Sequence, residues 1–319
     1  MINQLTMKII QFSALVIILC CGVFTLTCAE PANPPAQNAP LTFDSNRAFD
    51  ILKKQCEFGP RPPGSEAHKK TRDYLFSELK KYTDVVTLQP YTSEVDTIDD
   101  PPQRKTLHMN NIIAEFGSGH SETLLLAAHW DTRPCADQDP DIDSQREPIL
   151  GANDGASGVA VLLEIARILK QTPPPRRLII ILFDGEDYGK TTDQMFLGSR
   201  YFAKNMGKWR PDYGILLDMI GDKNLEIPKE QFSLAANPVF MERIWKRAEK
   251  LGLVPFQDRV GPAVMDDHVP LIRAGVPMVN LIDFDYPHWH TLEDTVDKCS
   301  PKSLEIVGRL VVSIIYEGL

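Results

Sequence analysis

Leu178-Ile-Ile-Ile-Leu-Phe183 runs straight into Asp184-Gly185-Glu186-Asp187, an unbroken apolar stretch closed by acids. A strand apolar at both alternations is buried on both faces, so helices must cover the sheet on either side. The same pattern recurs along the chain. Thr123-Leu-Leu-Leu-Ala-Ala128 leads into His129-Trp130-Asp131. Tyr213–Met219 carries Asp218 inside an apolar run, and Pro277–Ile282 precedes a loop holding His288-Trp289-His290. Helical stretches separate these runs: apolar-rich Gly158–Leu169, then Ser199–Asn205 and Pro238–Leu251, with amphipathic Ser303–Glu317 closing the chain. Upstream, Asp44 or Ser45 caps a helix to about Phe58, the Gly59–Gly64 stretch breaks it, and a second helix starts at Ser65. Val85–Tyr91 and Asn111–Glu115 read as strands. The pattern predicts an α/β three-layer sandwich, with a mixed, centrally parallel sheet covered by helices on both faces.

The chain has 319 residues, of which 43% are hydrophobic and 24% charged, a globular composition. Lys and Arg number 34 against 43 Asp and Glu, a net charge of −9 with no basic run. That balance excludes nucleic acid as a partner. Lys8 precedes an uncharged, mostly apolar stretch that ends in Thr27-Cys28-Ala29, so residues 1–29 read as an export signal. Cys28 offers a second reading, a lipidated N-terminus. Either one places the mature protein outside the cytoplasm: periplasmic, secreted or lipid-anchored at the cell envelope. Pro/Ala/Asn-rich residues 30–42 form a flexible tether, and residues 43–319 a single catalytic domain with no membrane span. Cys56, Cys135 and Cys299 remain in that domain, leaving open one disulfide plus a thiol, or three thiols.

The polar residues that follow the buried strands carry the chemistry. In open α/β sheets ligands bind beyond the carboxyl ends of the strands. Parallel strands would therefore gather His129, Glu186, Asp187, Asp218 and His290 at one edge. Asp154, in Gly151-Ala-Asn-Asp-Gly155 ahead of a helix, joins them unless it serves only as a helix cap. A carboxylate inside an apolar strand, as at Asp218, must be paired or bind a cation. Histidine with carboxylates and no thiolate is a ligand set for catalytic zinc. Adjacent Glu186 and Asp187 suit a division of labour, one binding metal and the other moving protons.

From about Phe49 to Tyr316 the chain resembles the zinc-dependent aminopeptidase-like family, and within it the glutaminyl-peptide cyclotransferase branch. The motifs that carry this are Ala127-Ala-His-Trp-Asp-Thr132, Gly151-Ala-Asn-Asp-Gly155, Leu182-Phe-Asp-Gly-Glu-Asp187, Leu217-Asp-Met-Ile-Gly221, Asp266-Asp-His-Val-Pro270 and Trp289-His-Thr291. The resemblance implies Asp154, Asp187 and His290 as ligands of one Zn²⁺ and Glu186 as general acid/base. In the aminopeptidases, residues matching His129 and Asp218 add a second zinc, with Asp154 bridging. Two features favour the cyclase. Asp266 stands where the peptidases usually carry a small residue, and in cyclases this acid hydrogen-bonds the one matching Asp218. Trp289 resembles the cyclase pocket wall. The implied reaction converts N-terminal glutaminyl residues of peptides and proteins to pyroglutamate, releasing ammonia. Glu186, Asp218 and Asp266 would be catalytic, Trp289 would bind substrate, and His129, oriented by Asp131, would support the metal. The alternative is a dizinc aminopeptidase. Departures from the animal cyclases are Asp187 in place of Glu, and Tyr188–Leu197 without a Trp over the substrate. Met265 stands in place of a polar residue, and Ala128 and Val159 where those enzymes place a cysteine pair.

Overall fold

The computed structural model describes residues 42–99, 101–117 and 122–318. The expected export signal, and all but the last residue of the expected tether, lie outside them. Helix α1 (Ser45–Glu57) starts where Asp44 accepts the Arg47 N–H, and α2 (Glu66–Lys80) where Ser65 accepts the His68 N–H. Strands β1 (Val86–Asp96) and β2 (Arg104–Phe116) form an antiparallel hairpin, paired from Val86↔Ala114 out to Asp96↔Arg104. It extends beyond the strands expected at Val85–Tyr91 and Asn111–Glu115. Its outer part alternates buried Val95 and Leu107 with exposed Arg104 and Lys105, so no continuous apolar run marks it.

The remaining strands β3 (Thr123–His129), β4 (Arg177–Phe183) and β5 (Tyr213–Asp218) are joined through α3 (Ala156–Gln171) and α4 (Leu197–Lys204). A small parallel pair follows, β6 (Ile227–Lys229) and β7 (Phe256–Val260), with α5 (Gln231–Ala236) and α6 (Pro238–Lys250) between them. Helix α7 (His268–Arg273), β8 (Met278–Ile282) and α8 (Pro301–Glu317) complete the chain. The main sheet has six strands in the order β1-β2-β4-β3-β5-β8. From β4 to β8 neighbours are parallel, and the hairpin joins β4 antiparallel. The sheet is therefore mixed with a parallel centre, as the buried runs predict.

Alternate side chains of each central strand enter different cores. Leu124, Leu126, Leu178, Ile180 and Leu182 pack with helices α1, α3 and α8. Leu125, Ala127, Ile179, Ile181 and Phe183 pack instead with Phe202 of α4 and Leu271 of α7. Each fully buried Leu or Ile contributes roughly 1.5–3 kcal/mol, and both faces are closed. The crossover from β3 to β4 runs through α3 on one face, and that from β4 back past β3 to β5 runs through α4 on the other. This reversal opens a crevice at the carboxyl ends of β3 and β5. Gly158 brings α3 close to the sheet there, since a Cβ would lie 2.3 Å from the Leu217 carbonyl oxygen. Among the described residues Cys56, Cys135 and Cys299 are buried free thiols, the second of the cysteine alternatives. No described helix is long and apolar enough to cross a membrane.

Candidate active site

The strand ends meet at that crevice. His129 closes β3 beside Phe183, Glu186 and Asp187 follow β4, Asp218 closes β5 beside Ile282, and the loop after β8 brings in His290. Asp154 enters just ahead of α3. It lies between the two imidazoles, with Oδ1 3.0 Å from His129 Nε2 and Oδ2 3.7 Å from His290 Nε2. Asp218 Oδ1 is 3.2 Å from His129 Nε2, and Asp187 Oδ1 is 3.3 Å from His290 Nε2. Every metal-ligating candidate named from the sequence is thus brought together.

These groups fall into two sets that share Asp154: His129–Asp154–Asp218 and Asp154–Asp187–His290, with donor atoms in each within 4.8 Å of one another. Asp187 Oδ2 is buried without a partner. Clustered carboxylates and imidazoles with a buried, unpaired oxygen are the environment that a divalent cation neutralises. Nitrogen and oxygen donors without thiolate fit zinc. Burial opposes a charged His129, yet the Asp131, Asp154 and Asp218 carboxylates hold its pKa well above the ordinary value. Such a field attracts cations.

Glu186 stands apart from both sets, and its side chain faces the cleft. Burial, reinforced by Asp187, Asp266 and Asp267 against the opposing pull of His129, pushes its pKa well above the ordinary glutamate value. A carboxyl whose pKa is raised in this way is suited to take and return a proton. Asp266 is also pushed well up, first by burial and then by the charges of Asp218 and Asp267. Asn280 Nδ2 donates to Asp266 Oδ2 at 2.6 Å, and the Asp267 N–H donates to Oδ1. A cleft of about 310 Å³ is lined by these acids and by Met195, Met265, Phe284 and Trp289. The Trp289 ring stacks on His290, with centroids 3.9 Å apart. Larger hollows elsewhere, such as 920 Å³ beside Tyr213 and Arg243, contain no such cluster.

Backbone strain marks the same place. The described non-glycine residues with positive φ are Phe196, Met219 and His290, at 58°, 46° and 54°. One is a ligand candidate, one follows Asp218, and one follows Met195 of the cleft wall. Such conformations cost about 1–3 kcal/mol each and persist only where the surroundings fix them.

The supporting residues extend the sequence reading. Asp131 Oδ1 faces His129 Nδ1 at 3.7 Å, an ion-pair contact longer than a hydrogen bond. It also accepts the backbone N–H groups of Glu186 at 3.1 Å and Asp187 at 3.3 Å, fixing their turn. Asp294, unmentioned by the sequence reading, accepts the N–H groups of Asn153 at 2.8 Å and Asp154 at 3.0 Å. Buried Arg61 donates to the carbonyls of Trp130, Leu150 and Gly151, tying together the loops that carry His129 and Asp154. Gly155 has φ +99°, and a Cβ there would come within 3.2 Å of the His129 ring.

Residues 111–315 match the family model of peptidase family M28, a span that contains every ligand candidate. The chain belongs to peptidase family M28. Among curated relatives, the Bos taurus glutaminyl-peptide cyclotransferase-like protein is 27% identical over 81% of this chain and 72% of its own length. A glutaminyl cyclase from Bacteroides thetaiotaomicron, solved bound to N-acetylhistamine, is 35% identical with a TM-score of 0.77. It covers 88% of this chain and 99% of that one. A Zn-dependent exopeptidase from Parabacteroides distasonis is 38% identical with a TM-score of 0.78, covering 86% of this chain and 98% of that one.

Proposed function

We propose that this M28 protein is a glutaminyl-peptide cyclotransferase that closes N-terminal glutaminyl residues of peptides and proteins to pyroglutamate and releases ammonia. The observation that carries the reading is the cleft itself. A buried acid, Asp266, beside Asp218, and an aromatic wall, Trp289, flank Glu186 within a small volume. The likeness to glutaminyl cyclases over nearly their whole length supports it.

In the reaction the α-amino nitrogen forms a bond to the side-chain carbonyl carbon of the same residue, and the bond from that carbon to its amide nitrogen breaks. Zinc held by Asp154, Asp187 and His290 would supply Lewis-acid polarisation of that carbonyl. Glu186 takes the proton released by the attacking amine and returns it to the departing nitrogen, which leaves as ammonia. Asp218 and Asp266, which both line the cleft, accept from the substrate's nitrogen and fix its direction. Trp289 packs on the glutaminyl side chain and keeps water from its face. One zinc per chain belongs to this reading. The export signal read at residues 1–29 would place the enzyme in the periplasm, outside the cell or, through Cys28, at the envelope.

A second reading has its own observation. His129–Asp154–Asp218 forms a second complete three-ligand set, which suits a dizinc aminopeptidase. A peptide beginning with glutamine separates the two. Cyclase action gives a product with every residue retained and one ammonia lost. A product shortened by its first residue supports the peptidase.

A further inference from the structure

Behind the candidate metal site lies a charged pair that takes no part in the cleft. Arg133 is 3% exposed, in the segment that leaves β3. Its guanidinium grips Asp137 in a fork, Nε to Oδ1 at 2.8 Å and Nη2 to Oδ2 at 2.7 Å. The remaining nitrogen, Nη1, reaches the other way. It donates to Asp187 Oδ1 at 2.7 Å and to the carbonyls of Gly189 at 3.2 Å and Asp187 at 3.4 Å. Asp137 Oδ1 in turn lies 3.2 Å from His290 Nδ1, the ring nitrogen opposite the one that faces Asp154 and Asp187. The same segment is sewn to the histidine by the Gln138 N–H, which donates to the His290 carbonyl at 3.1 Å. One Arg–Asp pair therefore touches two of the three ligand candidates from behind.

We propose that Arg133 and Asp137 are the positioning pair of the metal site. Arg133 holds the Asp187 carboxylate in place through Oδ1, while Asp137 meets His290 at Nδ1 so that Nε2 is turned toward the ion. This rests on the reading of Asp154, Asp187 and His290 as the ligand set. The geometry has a use at this position. Asp187 has one methylene fewer than a glutamate, and His290 sits on strained backbone with φ 54°, so an outside partner that fixes each side chain has a use here. Carboxylates and guanidinium in a planar fork impose direction as well as charge. Partners of this kind behind metal ligands typically change metal affinity 10–100-fold.

Charge and positioning predict opposite signs. A permanent cation beside the site opposes a second cation, so if Arg133 acted through charge alone, its removal would tighten zinc binding. If it acts by holding Asp187 and Asp137, its loss loosens the site.

The full chain, stripped of metal and titrated with Zn²⁺ against a chromogenic chelator, tests this with Arg133→Lys, Arg133→Met and Asp137→Asn. Arg133→Lys keeps the charge and loses the fork. The expected result is zinc binding weaker by roughly 10–100-fold in each variant. The visible absorption band of the Co²⁺-saturated protein should also change, because the ligands no longer hold the same arrangement. Unchanged or tighter zinc binding overturns the proposal. So does weaker binding with an unaltered Co²⁺ spectrum at saturation, which would mark a role in fold stability only. Should the Arg133 variants fail to fold, Asp137→Asn decides by the same two readouts. Failure of the unmodified protein to bind zinc would instead sink the ligand assignment.

Discussion

Asp131 and Glu186 are joined through the backbone: the acid on the loop after β3 accepts the N–H of the acid on the loop after β4, at 3.1 Å. Its second oxygen takes the next N–H, that of Asp187. A single buried carboxylate thus fixes the turn that presents both the proton-moving group and a metal ligand. Asp131→Asn replaces one acceptor with a donor that faces an N–H. Hydrogen bonds to charged groups contribute about 1.5–3 kcal/mol, so kcat/KM for a glutamine-initiated peptide should fall roughly 10–100-fold. Steady-state kinetics and zinc titration check this, and zinc affinity should weaken in parallel.

Glu186→Gln separates proton transfer from metal binding. The amide keeps the shape of the side chain but cannot take a proton, and general acid/base groups contribute about 10²–10⁴-fold. Turnover should drop within that range while zinc affinity stays at the wild-type value. An equal loss in zinc titration would make Glu186 a ligand.

Trp289→Ala removes a cleft wall and the ring stacked on His290. Aromatic packing contributes about 0.5–1.5 kcal/mol beyond area, so KM for the glutamine-initiated peptide should rise several-fold or more. Trp289→Phe should restore most of it, as measured by initial rates over a range of peptide concentrations.

A pH effect on stability comes from outside the cleft. Glu230 receives the N–H groups of Phe232, Ser233 and Val264 and pairs with His268 at 3.1 Å. Burial would raise its carboxyl, but the bonds from His268, Ser233 and Val264 outweigh this and hold it at about 2, below the ordinary 4.5. The folded pKa is depressed, so the stabilisation is fully present above about pH 4.5 and is lost as pH falls toward 2. Its size is on the order of 3 kcal/mol. In urea titrations Glu230→Gln should be less stable than wild type at pH 7, and the gap should narrow as pH falls from 4.5 toward 2.

The central layers were legible because burial on both faces leaves no polar alternation: Leu178–Phe183 can be little else than a covered strand. The ligand set was legible because every candidate but Asp154, which precedes α3, closes or follows such a strand, and parallel order brings strand ends together. The small β6–β7 pair was not, since Ile227-Pro-Lys229 is three residues long and Phe256–Val260 has Gln, Asp and Arg at its centre. Helix α7 was hidden in the Asp266–Pro270 motif, where chemistry rather than periodicity draws notice. Arg61, Arg133, Asp137 and Asp294 escaped because a charged residue in a loop reads as solvated surface. Only contacts distant in sequence, such as Asp294 with Asp154, reveal that Arg61, Arg133 and Asp294 are buried and Asp137 partly so. Half of what Asp131 does was hidden for a related reason. Proximity in sequence pointed to His129, which it faces, but not to the two N–H donors in the turn after β4.

What leaves the substrate distinguishes cyclisation from hydrolysis most directly. Ammonia and free glutamine should be followed together while the zinc-loaded full chain acts on a peptide that begins with glutamine, with Glu186→Gln as control. Ammonia released in step with substrate loss, without free glutamine, and abolished or strongly reduced in the control, is the predicted result. Free glutamine released in step with a shortened peptide, and no ammonia, would contradict the cyclotransferase assignment.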